Sequence, residues 1–484
     1  MLLARNVGLL AVLVFVSGCT SIAINAGFDD VRATVEERGG LKIFWNNGTD
    51  LDKEAAEKIN SLLKDKLVAD EAVQIALLNN RDLQAVYSDL GVAQADLVQA
   101  GLLNNPIFDA AIKFPVSHGG PPELELSAVM NFLDIFYLPL RKRVATARFE
   151  ETKTRVGGLV LDFAARVRTA FYVHQANEQM LELRQTIVQA LTASFEVTRR
   201  LHEAGNITDL DFARERALLE AGKLALRSAE VAVRQSREEL NMLMGLWGKQ
   251  TEWQTDERLP EVPQQAIQTE DLERFALNRS VDLLNARQRL MSAGEQLGLN
   301  KATALIPESH MGALGERTDG AWEVGPVLEF PIPLFDQGQA RTGRAAAELR
   351  RAQQEYYALA VKIRSTARAL RDRAQGARDR ALYYRDIMLP LHERIVNEAQ
   401  LQYNAMQVGP VQLLRAREQQ IETAAAYVEA LRDYWLARTE LAQLLSGRLP
   451  RGDGAPAGEA AAAMRGARTQ GRNPEGHSLL KESK

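Results

Sequence analysis

The sequence lacks most of what enzymes and nucleic-acid-binding chains carry. One cysteine among 484 residues rules out a disulfide within a single chain. The six histidines are scattered, none three or four residues from another, so no helix face presents a paired imidazole metal site. Isolated His174 and His392 read as packing or surface residues, and Met130 and Met311 as apolar filler. There is no Gly-rich phosphate loop, HExxH, CxxC or nucleophile elbow. No basic block occurs and the formal net charge is −4, so nucleic acid is not an expected partner. No catalytic centre, cofactor site or metal site can be assembled, and the chain is expected not to be an enzyme. Aromatics make up only 6 %, while Ala, Leu, Gln, Glu and Arg dominate, a mix suited to long helices rather than a sandwich. Beyond the N-terminus no stretch has ~18 consecutive apolar residues, which excludes a polytopic helical membrane protein.

The single cysteine has an informative position. Arg5 is followed by an apolar run from Val7 to Val16 and then by Ser17-Gly18-Cys19. The run is shorter than the ~20 residues that span a bilayer, so residues 1–18 read as a signal peptide. Val16-Ser17-Gly18-Cys19 resembles the bacterial lipobox. That resemblance implies cleavage before Cys19, its lipidation, and anchoring in the outer membrane, because Thr20 stands where an inner-membrane retention Asp would. The alternative is an ordinary secretory signal with a chance cysteine.

Self-similarity at an offset near 200 organises the rest. Ala76-Leu77 and Asp82-Leu83 recur as Ala276-Leu277 and Asp282-Leu283. Ile207–Arg216 aligns with Val408–Arg417. The expected organisation is a lipidated N-terminal extension over 19–59, a first repeat over 60–246, a polar linker over 247–268, a second repeat over 269–446 and a disordered tail over 447–484. Each repeat reads as a helix of about 35 residues, two short alternating stretches and two long helices. Leu349, Ala352, Tyr356, Leu359 and Ile363 form one seam. Ala377, Ala381, Tyr384, Met388, Leu391 and Ile395 continue it, and Leu414, Ile421, Val428, Trp435 and Ala442 mark the returning helix. A helix over 139–203 would be about 98 Å long at ~1.5 Å per residue. Gly157-Gly158 and Pro390 are expected to bend their helices rather than end them.

The short stretches alternate with period two. Phe108, Ala110, Ile112 and Phe114 share a face, as do Leu124, Leu126, Ala128, Met130 and Phe132, opposite Glu123, Glu125, Ser127 and Asn131. Trp322, Val324, Leu328 and Phe330 oppose Glu323 and Glu329. His118–Pro122 and Arg317–Gly320 supply the turns of two hairpins. A transmembrane strand of ~9–11 residues with one apolar face fits, and so does a small soluble sheet packed on helices. Four strands cannot close a membrane barrel, which starts at about eight, so spanning strands would require oligomerisation.

Asn80–Gln84, Gln94–Leu103 and Pro331–Gly338 carry a more specific signal. With them, the region 60–446 resembles the TolC family of outer-membrane efflux proteins. Leu138-Pro139-Leu140-Arg141 is taken as the first-half counterpart of Pro331–Gly338. The resemblance implies a mainly α fold with a small β part: long antiparallel helical hairpins forming an α-barrel, and four strands contributing to a trimeric twelve-stranded β-barrel. It implies a homotrimer, a periplasmic adaptor (membrane fusion) protein, an inner-membrane transporter and outer-membrane lipid as partners. Tyr403-Asn404-Ala405-Met406 is similar to the heavy-metal efflux branch.

By the same resemblance, Gly205, Asp209, Asp211, Met406, Gly409, Gln412 and Arg415 would form the periplasmic mouth and adaptor-docking region. Phe108, Ile112, Leu124, Leu126, Trp322, Val324, Leu328 and Phe330 would face lipid. Two departures from the family stand out. Met406 replaces a glycine, and Gln412 and Arg415 stand where well-known members have aspartates. Passive conduction of substrates from adaptor and pump to the exterior is the expected function. A type I secretion duct, or a non-conducting periplasmic coiled-coil scaffold, are the rivals.

Overall fold

The computed structural model describes residues 25, 27–48, 50–114, 122–256, 258–264, 271–306, 308–318 and 320–450. The signal segment, Cys19, the turn residues His118–Pro121 and Asp319, and nearly all of the expected tail lie outside them. Leu449 begins a separate contact unit, so the first unit ends at Arg448, two residues beyond the expected bound of 446.

The N-terminal part supplies α1 (Phe28–Gly39), α2 (Asp50–Leu62) and β1 (Lys66–Leu67). Then come α3 (Ala69–Asn79), α4 (Arg81–Ala100), β2 (Ile107–Lys113), β3 (Glu123–Asn131), α5 (Asp134–Glu203) and α6 (Asp209–Met244). After β4 (Gln254–Thr255) the order recurs as α7 (Leu272–Arg279), α8 (Val281–Ala302), β5 (His310–Thr318), β6 (Ala321–Glu329), α9 (Gln339–Tyr383), α10 (Leu389–Asn404) and α11 (Pro410–Leu445). The helix of about 35 residues expected at the head of each half is two helices. Asn80 and Ser280 sit in extended conformation at the breaks. Their side chains accept from the amides of Leu83 and Leu283 at 3.0 Å, capping the second helix of each pair.

Helix α5 runs unbroken for 70 residues, about 105 Å at ~1.5 Å per residue. It packs against α1, α3, α4, α6, α8 and α11 and is the spine of the chain. Leu138–Arg141 lies inside it, so the first half has no junction loop matching Pro331–Gly338. The chain passes from β3 to α5 within three residues, where Asn131 Oδ1 accepts from the Leu133 amide at 3.2 Å. Gly157 and Gly158 do not interrupt α5, and both are buried. Gly158 has a steric reason: a Cβ there would lie 2.8 Å from Arg448 Nη1. Arg448 is buried against Asp162 and Asp282, with its Nε 2.9 Å from Asp162 Oδ1. Burial works against its charge, but the two carboxylates more than offset it and hold its pKa above the ordinary guanidinium value.

The inward seam of α9 is Ala345, Leu349, Ala352, Tyr356, Leu359, Ile363, Ala367, Leu370, Ala374, Ala377 and Ala381, as the heptad spacing requires. Past Ala381 the expectation fails. A π-turn, Tyr384–Met388, precedes Pro390, which has no N–H to donate and whose ring crowds the preceding turn. The wider turn inserts one residue and rotates the face. Val396 is therefore buried, while Leu391 and Ile395 are exposed. On α11 the most buried heptad is Ala416, Thr423, Ala430, Ala437 and Leu444, two residues on from the expected stripe, and Ala442 is exposed. Small side chains permit the close approach that bulky ones would block.

The main core joins Val31, Val35, Ile43 and Trp45 of the N-terminal segment to α3, α4, α5 and the end of α6. Phe28, Trp45 and Tyr87 cluster with ring centroids 5.1 to 6.3 Å apart. The polar linker is anchored rather than loose. β4 pairs in parallel with β1, and buried Trp253 donates from Nε1 to Asn241 Oδ1 at 2.8 Å. Beside it, buried His174 Nε2 lies 3.3 Å from Glu178 Oε1, and Thr255 donates to Glu178. Burial raises the Glu178 pKa, but His174 and Thr255 outweigh it, leaving the carboxyl below its ordinary 4.5.

Two outcomes follow from these anchors. Arg448→Ala should cost about 3–5 kcal/mol in detergent-solubilised unfolding, because it strands two carboxylates; a loss under ~1 kcal/mol would mean the pairs are solvated. Because its folded pKa is depressed, Glu178 stabilises the fold above its ordinary value. Against Glu178→Gln, the wild-type advantage should therefore persist above about pH 4.5 and vanish as pH falls through the lower folded pKa. A pH-independent difference in unfolding midpoint would contradict that assignment.

Candidate functional site: an open sheet and two helix-turn tips

The two hairpins join through β3 and β5 into one antiparallel four-stranded sheet of order β2-β3-β5-β6. Residues directly opposite in such a ladder share a face. Ile112 pairs with Leu124, Ala110 with Leu126 and Phe108 with Ala128. Leu126 and Met130 continue to Gly315 and Met311, which in turn pair with Val324 and Leu328. Phe108, Ile112, Leu124, Leu126, Trp322, Val324 and Leu328 therefore lie on one face, and Arg317 opposite Trp322 is its one charge. Phe330 lies one residue beyond β6 and outside the ladder. The face is uncovered: Phe108 is 69 % exposed and Val324 76 %. Among the described residues no helix packs extensively over it, as a soluble sheet would require.

The opposite face is acidic. Glu125, Glu316 and Glu323 stand abreast on three adjacent strands, in direct register. Like charges so placed repel across a short gap. Lys113 relieves part of this, with Nζ 2.7 Å from Glu125 Oε2. Glu316 was not legible as part of this row, because β5 alternates weakly around Gly312 and Gly315.

At the far end of α5 are two turns of matching form. At 201–206 the Asn206 amide donates to the Leu201 carbonyl at 2.8 Å, and at 402–407 the Gln407 amide donates to Gln402 at 2.9 Å. Each needs one left-handed residue. Gly205 serves at φ +73°, and Met406 is forced to φ +59° with its side chain 94 % exposed. The following helices start differently. Thr208 caps α6 through the Asp211 amide at 3.1 Å, whereas Gly409 caps α11 with no side chain and Pro410 follows. His202 lies 2.7 Å from exposed Asp209 and stacks on Phe212 at 4.5 Å.

The expected mouth residues divide into two groups. Asp211 and Arg415 come together in a cleft of about 330 Å³ between the first turns of α6 and α11. Gly205, Asp209, Met406, Gly409 and Gln412 belong to the turns and helix starts themselves and do not line it. The cleft also holds Glu215, buried with Oε1 unpartnered, which sequence reasoning missed. Its signal was available: Glu215 lies one helical turn beyond Asp211 on the same face. Among the described residues no group of three or more His, Cys, Asp or Glu could hold a metal ion, and no helix is long and apolar enough to cross a membrane.

A left-handed Met costs ~1–2 kcal/mol that glycine avoids. Met406→Gly should therefore stabilise the second turn by about 1 kcal/mol, read as slower amide exchange over residues 401–410. Faster exchange there would sink the strain argument.

Residues 124–246 match the outer membrane efflux protein family. A probable efflux pump outer membrane protein of Pseudomonas putida, TtgC, is 23 % identical over 303 residues, 56 % of this chain. The matched stretch spans only 60 % of that relative's length. Among solved structures, the outer membrane protein VceC of Vibrio cholerae is similar with TM-score 0.64 and 16 % identity, over 79 % of this chain and 97 % of VceC. The CmeC outer membrane channel of Campylobacter jejuni has TM-score 0.63 and 14 % identity, over 88 % and 92 % of the two chains. Their fold is the one described here: long helical hairpins carrying a small sheet. The family match is confined to residues 124–246, and the likeness to the solved structures is one of fold.

Proposed function

We propose that the chain is the outer-membrane channel of a tripartite efflux system, conducting substrates passively to the exterior. The observation that carries this reading is the open sheet, apolar on one face, acidic on the other, and unpaired at both edges among the described residues. Its four strands cannot close alone, and open edges are not tolerated in hydrocarbon. Three copies would supply twelve strands. Phe108, Ile112, Leu124, Leu126, Trp322, Val324 and Leu328 would then meet lipid, with Phe330 at its border. The carboxylates would line the water-filled lumen. Lipidated Cys19 would add a second anchor in the outer membrane, with most of the chain in the periplasm.

The helix-turn tips would form the periplasmic mouth, where a periplasmic adaptor docks and links the channel to an inner-membrane transporter. Gly205, Asp209, Met406, Gly409 and Gln412 would present the docking edge, and Asp211 and Arg415 would sit just behind it. Opening would separate the α5–α6 and α10–α11 hairpins. The relative's description as an efflux pump component favours a small-solute conduit over the type I secretion duct. The uncovered apolar face speaks against a periplasmic scaffold.

Purified chain should form trimers and conduct in planar bilayers. With Glu125, Glu316 and Glu323 lining the lumen, the current should favour cations. Replacing all three by Gln should move the reversal potential in a tenfold KCl gradient toward zero. Absence of conductance from folded trimers would overturn the channel reading. An unchanged reversal potential would remove the acidic row from the conduit.

A further inference from the structure

Between α5, α7, α11 and the end of α1 with the residues just after it lies a cavity of about 440 Å³. Its charged lining has one sign. Arg38, Arg168 and Arg279 line it, and no Asp or Glu is among the described residues that do. Arg168 is neutralised at its edge by Asp70, 2.6 Å away. The other two are not matched in this way. Arg38 donates from Nη1 to the Arg279 carbonyl at 3.1 Å, and Arg279 donates from Nη2 to the Glu37 carbonyl at 3.1 Å. Each guanidinium is thus tied to the other's segment, which holds two cations side by side.

Both Nε atoms are buried without a hydrogen-bond partner. Among the described residues Arg38 is paired only with Glu37, whose carboxylate lies 3.7 Å from Nε and is mostly in solvent. Arg279 makes no ion pair among the described residues, and its charge lies 5.4 Å from the Phe275 ring centre. A like-charged pair with unused donors is costly unless an anion completes it. The remaining walls are mostly apolar, Leu161 and Phe275 among them, with Thr439, Gln443 and Ser446 as their polar members.

We propose that this cavity binds an organic anion, with one carboxylate, sulfonate or phosphate on a compact apolar body. The anionic group would sit between Arg38 and Arg279, and the body against Leu161 and Phe275. A cation is repelled, and a bare inorganic anion leaves the apolar walls wet. The volume suits a ligand of about one ring. Because α5 belongs to the first half and α7 and α11 to the second, a bound anion would also bridge the two halves. The proposal goes beyond the channel reading and does not depend on it.

The test is isothermal titration calorimetry of the full chain in a neutral maltoside detergent, with benzenesulfonate as probe and detergent alone as blank. Saturable binding of one benzenesulfonate per chain is expected. Sulfate, benzyl alcohol and benzylammonium should each bind at least tenfold more weakly. Arg279→Gln should weaken benzenesulfonate at least tenfold. Ala442→Phe, which fills the cavity from an exposed lining position and leaves both arginines in place, should abolish binding while the circular dichroism spectrum is kept. If Arg279→Gln fails to fold, Ala442→Phe decides alone. Heats equal to the blank, equal binding of benzylammonium, or undiminished binding in Ala442→Phe would overturn the proposal.

Discussion

Backbone N–H and C=O groups must find partners wherever water is absent, and this chain meets that demand in two unequal ways. Helix α5 satisfies itself along its 70 residues and needs neighbours only for its apolar stripe. The sheet does not. Strands β2 and β6 each leave one edge without a partner among the described residues. A sheet with one apolar face and two open edges is an incomplete object. On the proposed reading, the same incompleteness makes the chain oligomerise and encloses a lumen.

The helical body is organised by close approach. Alanine is the commonest residue in the α9 seam and in the most buried α11 heptad, which lets the helices approach closely between the larger side chains. Where a charge enters this packing, glycine makes room for it. Arg448 reaches across Gly158 to Asp162, and Asp282 from the second half closes the pair. That buried contact ties the residues just after α11 to the middle of α5 and to the start of α8. The described part of the linker is pinned in a similar way by Trp253 and the Thr255–Glu178 contact, so it belongs to the body.

The tips differ from the body in kind. There the backbone, not the core, sets the geometry: one left-handed residue per turn, followed by a capped helix start. Met406 holds a conformation that Gly205 adopts freely. Strain at an exposed turn, beside a cleft with an unpaired buried carboxylate, fits the docking edge proposed for these tips.

Much was legible in the residues themselves. Period-two alternation in 108–114, 124–132 and 322–330 identified three of the sheet's strands and their faces, because successive side chains in a strand point to opposite sides. The heptad spacing of 349–363 gave the α9 seam for the analogous helical reason. What local pattern could not contain was decided in three dimensions. The π-turn before Pro390 moved the buried face from Ile395 to Val396, since one inserted residue rotates everything after it. The pairing of β3 with β5 brought Glu316 between Glu125 and Glu323, residues nearly 200 positions apart along the chain from Glu125. Arg448, Gly158 and Asp282 meet only because α5, α8 and the residues just after α11, far apart in the chain, pack together. Sequence by itself determined which side chains share an element's face, through the geometry of helix and strand. Only the tertiary structure decided which faces meet, because that depends on register and on contacts between segments far apart in the chain.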